Sequence, residues 1–294
     1  MKYQLSCEST VDLPYAYVSG RGLSVLFYTY EIDGVPYEDN MGRDKKDLAR
    51  FYAALDAGKL PVTSQINEFT YEKYFDALLE QGDVLHLNFG SGMTPSVNNA
   101  RLAAETVLKR HPGRRLEIVD SLCSSSGYGL FVDTCADLWE QGMDLDELKA
   151  WAEAHANQVH HQFYTTDMKF FRRSGRVSGA AATLATVLSI CPIMHLNDEG
   201  RIIAYDKVRG KKNALQRTVD EMAAHAQNGT DYDGRCFISH ANALEQAKLT
   251  RDAIEARFPK LKGKVQLFDI GNIIASHCGP GTVAVYFWGD ERTH

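Results

Sequence analysis

Short apolar runs alternate with amphipathic stretches along the first half of the chain. The runs are typical of buried strands and read YQLSCE, LSVLFYTYEI, DVLHLNF and RRLEIVD. Helical periodicity is found between and after them, at about 45–57, 68–81, 96–111, 125–141 and 145–157. Strands that lead into helices at this spacing predict a parallel sheet covered by helices. We therefore predict an α/β sandwich domain over residues 1–160.

The second half of the chain has a different pattern. CPIMHL and RIIAYDKV flank the turn NDEG and predict a hairpin. Further strands are predicted in QVHHQFYTT, RCFISH and KVQLFDI, with helices in GAAATLATVLSI and at about 210–226 and 243–257. Hairpins mixed with helices predict an α+β domain with a mixed or antiparallel sheet over residues 161–294. The expected fold class is therefore α/β, in two domains.

Composition and charge narrow the possible partners. The 294 residues carry a formal net charge of -6, which argues against nucleic acid or an anionic membrane as the main partner. The uncharged stretch 177–196 is too weakly apolar for a membrane span, so no stable membrane insertion is expected. The N-terminus lacks the apolar run of a secretory signal, and the six cysteines form no Cys-x-x-Cys pair. These features favour reduced thiols and a cytoplasmic location.

Three polar loops follow predicted strands of the first half, where open α/β sheets collect ligands. They are CEST at 7–10, VTSQ at 62–65 and NFGSGMTPS at 88–96. Their hydroxyls and backbone N–H groups could bind an anion. The same residue types also serve as helix caps and turns, and the sequence leaves both interpretations open. Neither a Walker-type GK[ST] motif nor a complete Gly-x-Ser-x-Gly motif occurs.

The second half adds basic residues and a histidine at a glycine-rich corner. Arginines cluster in FFRRSGRVSG and lysines in DKVRGKKNA; such runs are typical of solvated faces. Arg209 differs from the lysines around it because it ends a strand and precedes a glycine. His277 stands directly before Cys278 and the Gly-Pro-Gly corner. On the strand expected there, these two side chains would point to opposite faces, so a Cys–His hydrolase is not favoured.

Metal binding is not predicted. His155, His160 and His161 do not repeat at i, i+4 on one helix, and no carboxylate lies at ligand spacing from them.

Taken in order, these motifs resemble the DegV family, whose members bind fatty acids. CESTVDLP stands where family members have a strand ending in Asp-Ser-Thr. The Thr-Ser-Gln loop, the hydroxyl-rich turn and a Val-Asp-Ser strand end at 119–121 follow. Later come Gly-Arg-Val at 175–177, a Pro-Ile strand, an arginine matched by Arg209, and His-x-Gly-Pro-Gly at 277–281. The resemblance runs the length of the chain.

The resemblance implies a two-domain carrier that buries one long-chain fatty acid with its carboxylate near the domain junction. In the bacterial fatty-acid kinase system, such proteins present the acid to a separate ATP-dependent kinase and carry out no bond chemistry themselves. No cofactor is implied. The residues that the resemblance assigns to the carboxylate are Thr63, Ser64, Ser91, Gly92, Thr94, Ser96, Arg209 and His277.

Two further groups of residues receive roles under this resemblance. The small side chains after residue 178 could leave room for an acyl tail or could simply pack helix against sheet; the tunnel residues expected there are Ala181, Leu184, Ala185 and Leu188. An acidic partner, the kinase among the candidates, is expected to dock on Arg172, Arg173 and Arg176.

The chain departs from the family pattern at three positions. Glu8 replaces the usual Asp, Pro95 lies within the hydroxyl-rich turn, and Cys278 stands where Thr is common. The departures at Glu8 and Pro95 affect how a ligand carboxylate would be held and which ligand is chosen. An enzyme acting on a small anionic or phosphorylated substrate at the same loops therefore stays open as an alternative. A third possibility is an interaction module that uses its basic patch.

Overall fold

The computed structural model describes residues 3–178 and 189–293. In the first half the strands are β1 (Tyr3–Glu8), β2 (Ser24–Leu26), β3 (Thr29–Ile32), β4 (Val35–Glu38), β5 (Val62–Ser64), β6 (Asp83–Asn88) and β7 (Leu116–Asp120). The helices are α1 (Tyr15–Gly20), α2 (Asp47–Asp56), α3 (Glu68–Leu79), α4 (Ser96–Leu108), α5 (Ser125–Glu140) and α6 (Leu145–His155). A parallel sheet runs in the order β2-β1-β6-β7. It confirms the predicted parallel architecture.

The second half forms a mixed sheet in the order β13-β12-β14-β8-β10-β11-β9. Its strands are β8 (Val159–Tyr164), β9 (Val177–Ser178), β10 (Ile190–Leu196), β11 (Ile202–Arg209), β12 (Phe237–His240), β13 (Gln266–Asp269) and β14 (Val283–Trp288). The helices are α7 (Lys169–Ser174), α8 (Lys211–His225), α9 (Leu244–Arg257) and α10 (Asn272–Cys278). The β10–β11 hairpin and the mixed sheet confirm the predicted fold class. The domain boundary near residue 160 stays a prediction.

The single strand expected in LSVLFYTYEI is divided between two sheets. After β2, the Tyr28 amide donates to Ser9 Oγ at 3.1 Å, so the chain leaves the parallel sheet. The next strand, β3, then forms a small antiparallel sheet with β4 and β5. Asp33 and Gly34 both have positive φ, 53° and 76°, as a tight β3–β4 hairpin requires. This small sheet brings Thr63 and Ser64, predicted in a loop but found in β5, to the cavity described below.

A short helix replaces the extended segment expected before the Gly-Pro-Gly corner. His277 and Cys278 form the last turn of α10, and the Gly279 amide donates to Ala275 O at 2.9 Å. Gly279 has φ 69° and ψ 172°, a backbone conformation open essentially to glycine alone. The chain then turns into β14. The strand argument about the faces of His277 and Cys278 therefore does not apply.

Helix α5 joins the two halves of the molecule. At Gly127 an added Cβ would overlap the His161 ring of β8, and at Gly129 it would lie 2.8 Å from Leu13 Cγ. Side chains on both sides of its first turns are buried as a result. None of the helices within the described ranges is long and apolar enough to cross a membrane. Residues 179–188 of the predicted helix in GAAATLATVLSI, with the tunnel residues Ala181, Leu184, Ala185 and Leu188, lie outside the described residues. Its predicted last residue, Ile190, instead begins β10.

Candidate functional site

A cavity of about 220 Å³ lies where the small sheet, the loop after β6, α7 and α10 meet. Its polar lining includes Thr63, Ser64, Thr94, Arg176 and His277, which come from four distant segments of the chain. The apolar lining includes Phe89, Met93, Phe171, Ile202, Ile273 and Ile274. Four of the sequence-predicted carboxylate ligands therefore share one wall: Thr63, Ser64, Thr94 and His277.

His277 and Thr63 form the central polar pair of this cavity. His277 Nε2 lies 2.7 Å from Thr63 Oγ1, a hydrogen bond between α10 and β5. Burial, together with the charges of Arg176 and Arg173, lowers the pKa of His277 to about 4. The imidazole is therefore neutral at neutral pH. A neutral imidazole beside a hydroxyl can exchange its partner for an incoming carboxylate oxygen.

Two arginines flank that pair. A depression of about 140 Å³ next to the cavity is lined by Arg173, Arg176, Thr63 and His277. Arg173 donates from Nη2 to Pro61 O at 2.9 Å, which fixes it beside β5. Arg176 is exposed and lines both the depression and the cavity. The cavity mouth is thus positively charged, as an anionic ligand group requires.

The hydroxyl-rich turn contributes less to the cavity than the resemblance implies. Thr94 and Pro95 line it, and Pro95 forms the N-cap of α4. Ser91 is exposed and donates its amide to Asp120 Oδ1 at 3.0 Å. At Gly92 an added Cβ would lie 2.7 Å from Glu199 O, so this glycine allows close packing of two loops.

Arg209 is exposed at the end of β11. Ile202, at the other end of this strand, lines the cavity, and seven residues of strand span about 23 Å. The structure does not bring Arg209 to the cavity mouth, where Arg173 and Arg176 lie. The sequence pattern did not separate these arginines, because each lies within two residues of a glycine.

Behind the cavity wall lies a buried polar network around Glu8. Its carboxyl accepts a hydrogen bond from Tyr71 Oη and another from the Phe89 amide at 2.9 Å. Tyr28 Oη is 3.5 Å from Glu8 Oε2 and 2.9 Å from Ser96 Oγ. Tyr28 also lines the cavity, so Ser96 and Glu8 support its wall without facing the ligand space. The extra methylene of Glu8 is thus accommodated by tyrosine hydroxyls.

The cavity continues into an apolar extension of about 50 Å³. The two spaces share the lining residues Met93, Ser124, Phe171, Ile202, Ile274 and Cys278. Further in, the extension is lined by Phe163, Leu196, Ile270, Ala284 and Tyr286. These residues are ordinary buried strand and helix positions in the sequence, so their pattern does not distinguish a ligand wall from core.

Cys278 lines this continuous space with a buried thiol. Burial raises the pKa of its thiol to about 12, so the reactive thiolate is absent at neutral pH.

A larger cavity of about 340 Å³ lies on the other side of the α10 N-terminus. Five carboxyl groups line it, those of Asp12, Asp39, Asp44, Asp47 and Asp269. Burial raises the pKa of Asp39 to about 7 and that of Asp12 well above its usual range. A wall of carboxyl oxygens does not suit an anionic ligand, which leaves the cavity at His277 as the candidate site.

Comparison with known proteins places the chain in a family. A family model, described as an uncharacterised protein of the DegV family, matches residues 2–290. A DegV domain-containing protein from Clostridium perfringens is 32% identical over 293 residues, covering 99% of each chain. A second such protein, from Lactococcus lactis, is 28% identical over 287 residues and 97% of each chain.

Two solved structures with the same fold are described as fatty acid binding. One from Thermus thermophilus, described as fatty acid binding of a DegV family protein, has a TM-score of 0.85 at 26% identity and covers 98% of this chain and 100% of its own. A fatty acid binding DegV family protein from Streptococcus agalactiae has a TM-score of 0.83 at 27% identity, with coverage of 99% and 100%. With the family model and the Clostridium relative matching almost the whole sequence, the chain belongs to the DegV family.

Proposed function

We propose that this protein binds one long-chain fatty acid, with the carboxylate at the Thr63–His277 pair and the tail in the apolar extension. The observation that carries the proposal is the continuity of a polar, arginine-flanked mouth with an apolar interior. The descriptions of the Thermus and Streptococcus proteins as fatty acid binding support the same ligand class. A small polar substrate would leave the apolar extension without a role.

The energetics suit an amphipathic anion. A buried carboxylate is costly unless it is hydrogen-bonded, and here hydroxyls, a neutral imidazole and an arginine are available as donors. The tail supplies most of the affinity: about 14 methylenes at ~0.8 kcal/mol each give an upper bound near 11 kcal/mol. Association entropy removes several of these, so micromolar or tighter binding is expected.

We further propose that the protein presents the bound acid to a separate ATP-dependent kinase and performs no bond chemistry itself. The carboxylate would lie at the mouth, within reach of a partner that approaches the exposed Arg173 and Arg176. The protonated state of the Cys278 thiol agrees with a carrier, because it removes the nearest candidate nucleophile.

The first experiment is mass spectrometry on an organic extract of the denatured, purified protein. A near-stoichiometric fatty acid is expected and would identify the tail that the cavity selects. If the extract contains no lipid and the protein takes up no added fatty acid, the carrier function is excluded. The small-anion enzyme then becomes the leading alternative.

Variants at the polar pair test the position of the carboxylate. With delipidated protein, Thr63→Val and His277→Ala are each expected to weaken fatty-acid binding about tenfold to a hundredfold, because each removes a hydrogen bond to a charged group. His111→Ala is the matched control, since His111 contacts Asp76 away from the cavity. Unchanged affinity in both cavity variants would exclude this carboxylate position.

The two candidate arginines can be separated in the same assay. Arg176→Ala should weaken binding, whereas Arg209→Ala should not, because only the first lines the mouth among the residues described. The opposite result would favour the residue assignment implied by the family resemblance.

The kinase proposal needs its own readout. Charge reversal at Arg173 (R173E) should slow phosphorylation of the bound acid by a partner kinase by a larger factor than it weakens lipid binding, since Arg176 lines the cavity itself and Arg173 only the depression beside it. Equal losses in both assays would mean that Arg173 belongs to the lipid site instead.

A further inference from the structure

A second group of ligand-type side chains lies on the opposite face of the strands that line the lipid cavity. In the β8–β14 pair, His161 and Tyr286 are partners and face the cavity. The next pair, His160 and Phe287, points to the other face because side chains alternate along strands. There, within residues 3–178 and 189–293, His160, His225 and Asp290 bring one possible ligand atom each within 4.8 Å of the others.

The distances around Asp290 are short and involve two imidazoles. Asp290 Oδ1 is 2.9 Å from His160 Nε2 and 3.1 Å from His225 Nδ1. First-shell atoms bound to one ion at ~2.0–2.2 Å are separated by about 3 Å, so little movement would be needed to admit an ion. The exposed Asp290 carboxylate leaves one side open to water or to a further ligand.

The fold holds these three side chains in place before any ion arrives. The His160 ring stacks on Phe287 at 5.1 Å and is also 5.1 Å from the His225 ring. The Asp290 amide donates to His225 O at 3.1 Å, which fixes the C-terminal segment against the end of α8. Gly289 permits this approach, because an added Cβ would lie 2.6 Å from His160 Cδ2.

A carboxylate also lies behind one imidazole. Glu221 Oε2 is 3.6 Å from His225 Nε2, on the opposite side of the ring from Asp290. Glu221 is itself held by Arg217, one turn earlier on α8. A carboxylate behind a histidine ligand orients the ring and raises its basicity, as is common around zinc.

From these contacts we propose that His160, His225 and Asp290 bind one Zn²⁺ ion. Two imidazole nitrogens and one carboxylate oxygen favour zinc or a similar late transition metal over Mg²⁺ and Ca²⁺, which prefer oxygen ligands alone. The ion would link β8, α8 and the segment after β14. This site is independent of the proposed fatty-acid site. Without an ion, the imidazoles can donate hydrogen bonds to Asp290, so the competing explanation is a purely hydrogen-bonded contact.

The test is a ZnCl₂ titration of the full chain by calorimetry, after chelator treatment and removal of any polyhistidine tag. One Zn²⁺ per chain is expected, with a higher thermal midpoint in the zinc-bound form. His225→Ala and Asp290→Asn should each lower the affinity tenfold or more. Glu221→Gln should lower it about tenfold with the stoichiometry unchanged, as for loss of an outer carboxylate. Mg²⁺ and Ca²⁺ should not compete.

His111→Ala again provides the control, because His111 and Asp76 form a partly exposed His–Asp pair without a second imidazole. This variant should bind Zn²⁺ like the unmodified chain. Two results would overturn the proposal: absence of Zn²⁺ binding, or equal affinity in His225→Ala, Asp290→Asn and the control. Both variants alter side chains with partial solvent exposure, so loss of folding is not expected to obscure the result.

Discussion

Tyr71 and Glu8 show how one hydroxyl can support a ligand site that it does not touch. Tyr71 donates to the fully buried Glu8 carboxyl. Tyr71→Phe removes this donor and should lower the free energy of unfolding by about 1.5–3 kcal/mol, the usual range for a hydrogen bond to a charged group. Denaturant unfolding measures the change. Tyr37→Phe, at an exposed tyrosine, should change the free energy of unfolding by no more than about 0.5 kcal/mol. If both substitutions lowered it equally, the hydrogen bond to Glu8 would have no special role.

The lowered pKa of His277 predicts how the stability of the folded chain changes with pH. Its pKa is lowered from 6.5 to about 4 in the folded chain, so between these values the unfolded chain binds more protons. Stability should therefore fall as pH decreases from about 6.5 to 4, by up to ~3 kcal/mol from this residue.

The buried His160 and His161 also have lowered pKa values and contribute to the same pH range. The contribution of His277 is therefore measured as a difference. The free energy of unfolding is determined for the unmodified chain and for His277→Gln at several values between pH 4 and 7. Parallel curves would show that His277 titrates normally.

At the scale of elements, the end of α10 depends on Gly279. Its backbone angles and the overlap of an added Cβ with the Phe170 ring both exclude a side chain. Gly279→Ala should cost more than about 2 kcal/mol of unfolding free energy and weaken lipid binding, because it shifts His277. Gly263 also has a positive φ, 72°, but has open space around it. Gly263→Ala therefore measures the cost of the backbone conformation without a side-chain clash, and it should lower the free energy of unfolding by about 1 kcal/mol. Similar values for both variants would mean that the Phe170 contact adjusts freely.

Elements with clear periodicity were predictable from the sequence, and the departures have local causes. The helices α3, α5 and α8 lie within a few residues of their predicted ranges because their apolar faces are regular. The hydrogen bond that the Tyr28 amide donates to Ser9 Oγ lies where the second predicted strand is divided, and no periodicity reveals it. Helix α10 has seven residues, too few to establish a helical pattern before a glycine corner.

Some residues of the candidate site were likewise predictable from the sequence, and others were not. Hydroxyl-rich motifs predicted Thr63, Ser64 and Thr94, and the glycine-rich corner predicted His277; all four line the cavity. The choice between Arg176 and Arg209 depends on which strand end lies near α10, and that is a property of the folded sheet. The His160–His225–Asp290 group joins three distant segments, so spacing rules for a single helix did not find it.

At the scale of the whole molecule, a bound fatty acid should stabilise the fold, because its site is built from both halves. At 100 times the dissociation constant, linkage adds about 2.7 kcal/mol, which corresponds to about 5 °C in the thermal midpoint of a chain of this size. Differential scanning fluorimetry of delipidated protein measures the shift. The methyl ester of the same acid should give a smaller shift. Equal shifts would mean that the carboxylate is not recognised.

The deep end of the cavity should set the length of the selected tail. Ala284 lines the apolar extension on β14. Ala284→Leu fills part of that space, so competition binding should show a preference moved toward shorter acids by a few methylenes, each worth ~0.8 kcal/mol. An unchanged preference would indicate that the tail takes another path.

The Thr63–His277 hydrogen bond spans 214 residues of sequence, and this has a consequence for biosynthesis. At ribosomal rates of about 5–20 residues per second, Thr63 leaves the ribosome some 10–40 s before its partner. During that interval the half-built mouth cannot hold a carboxylate, and the apolar wall behind it has no cover. Under the proposed function, a nascent chain can therefore load a fatty acid only after the segment around His277 has been synthesised and has folded against Thr63.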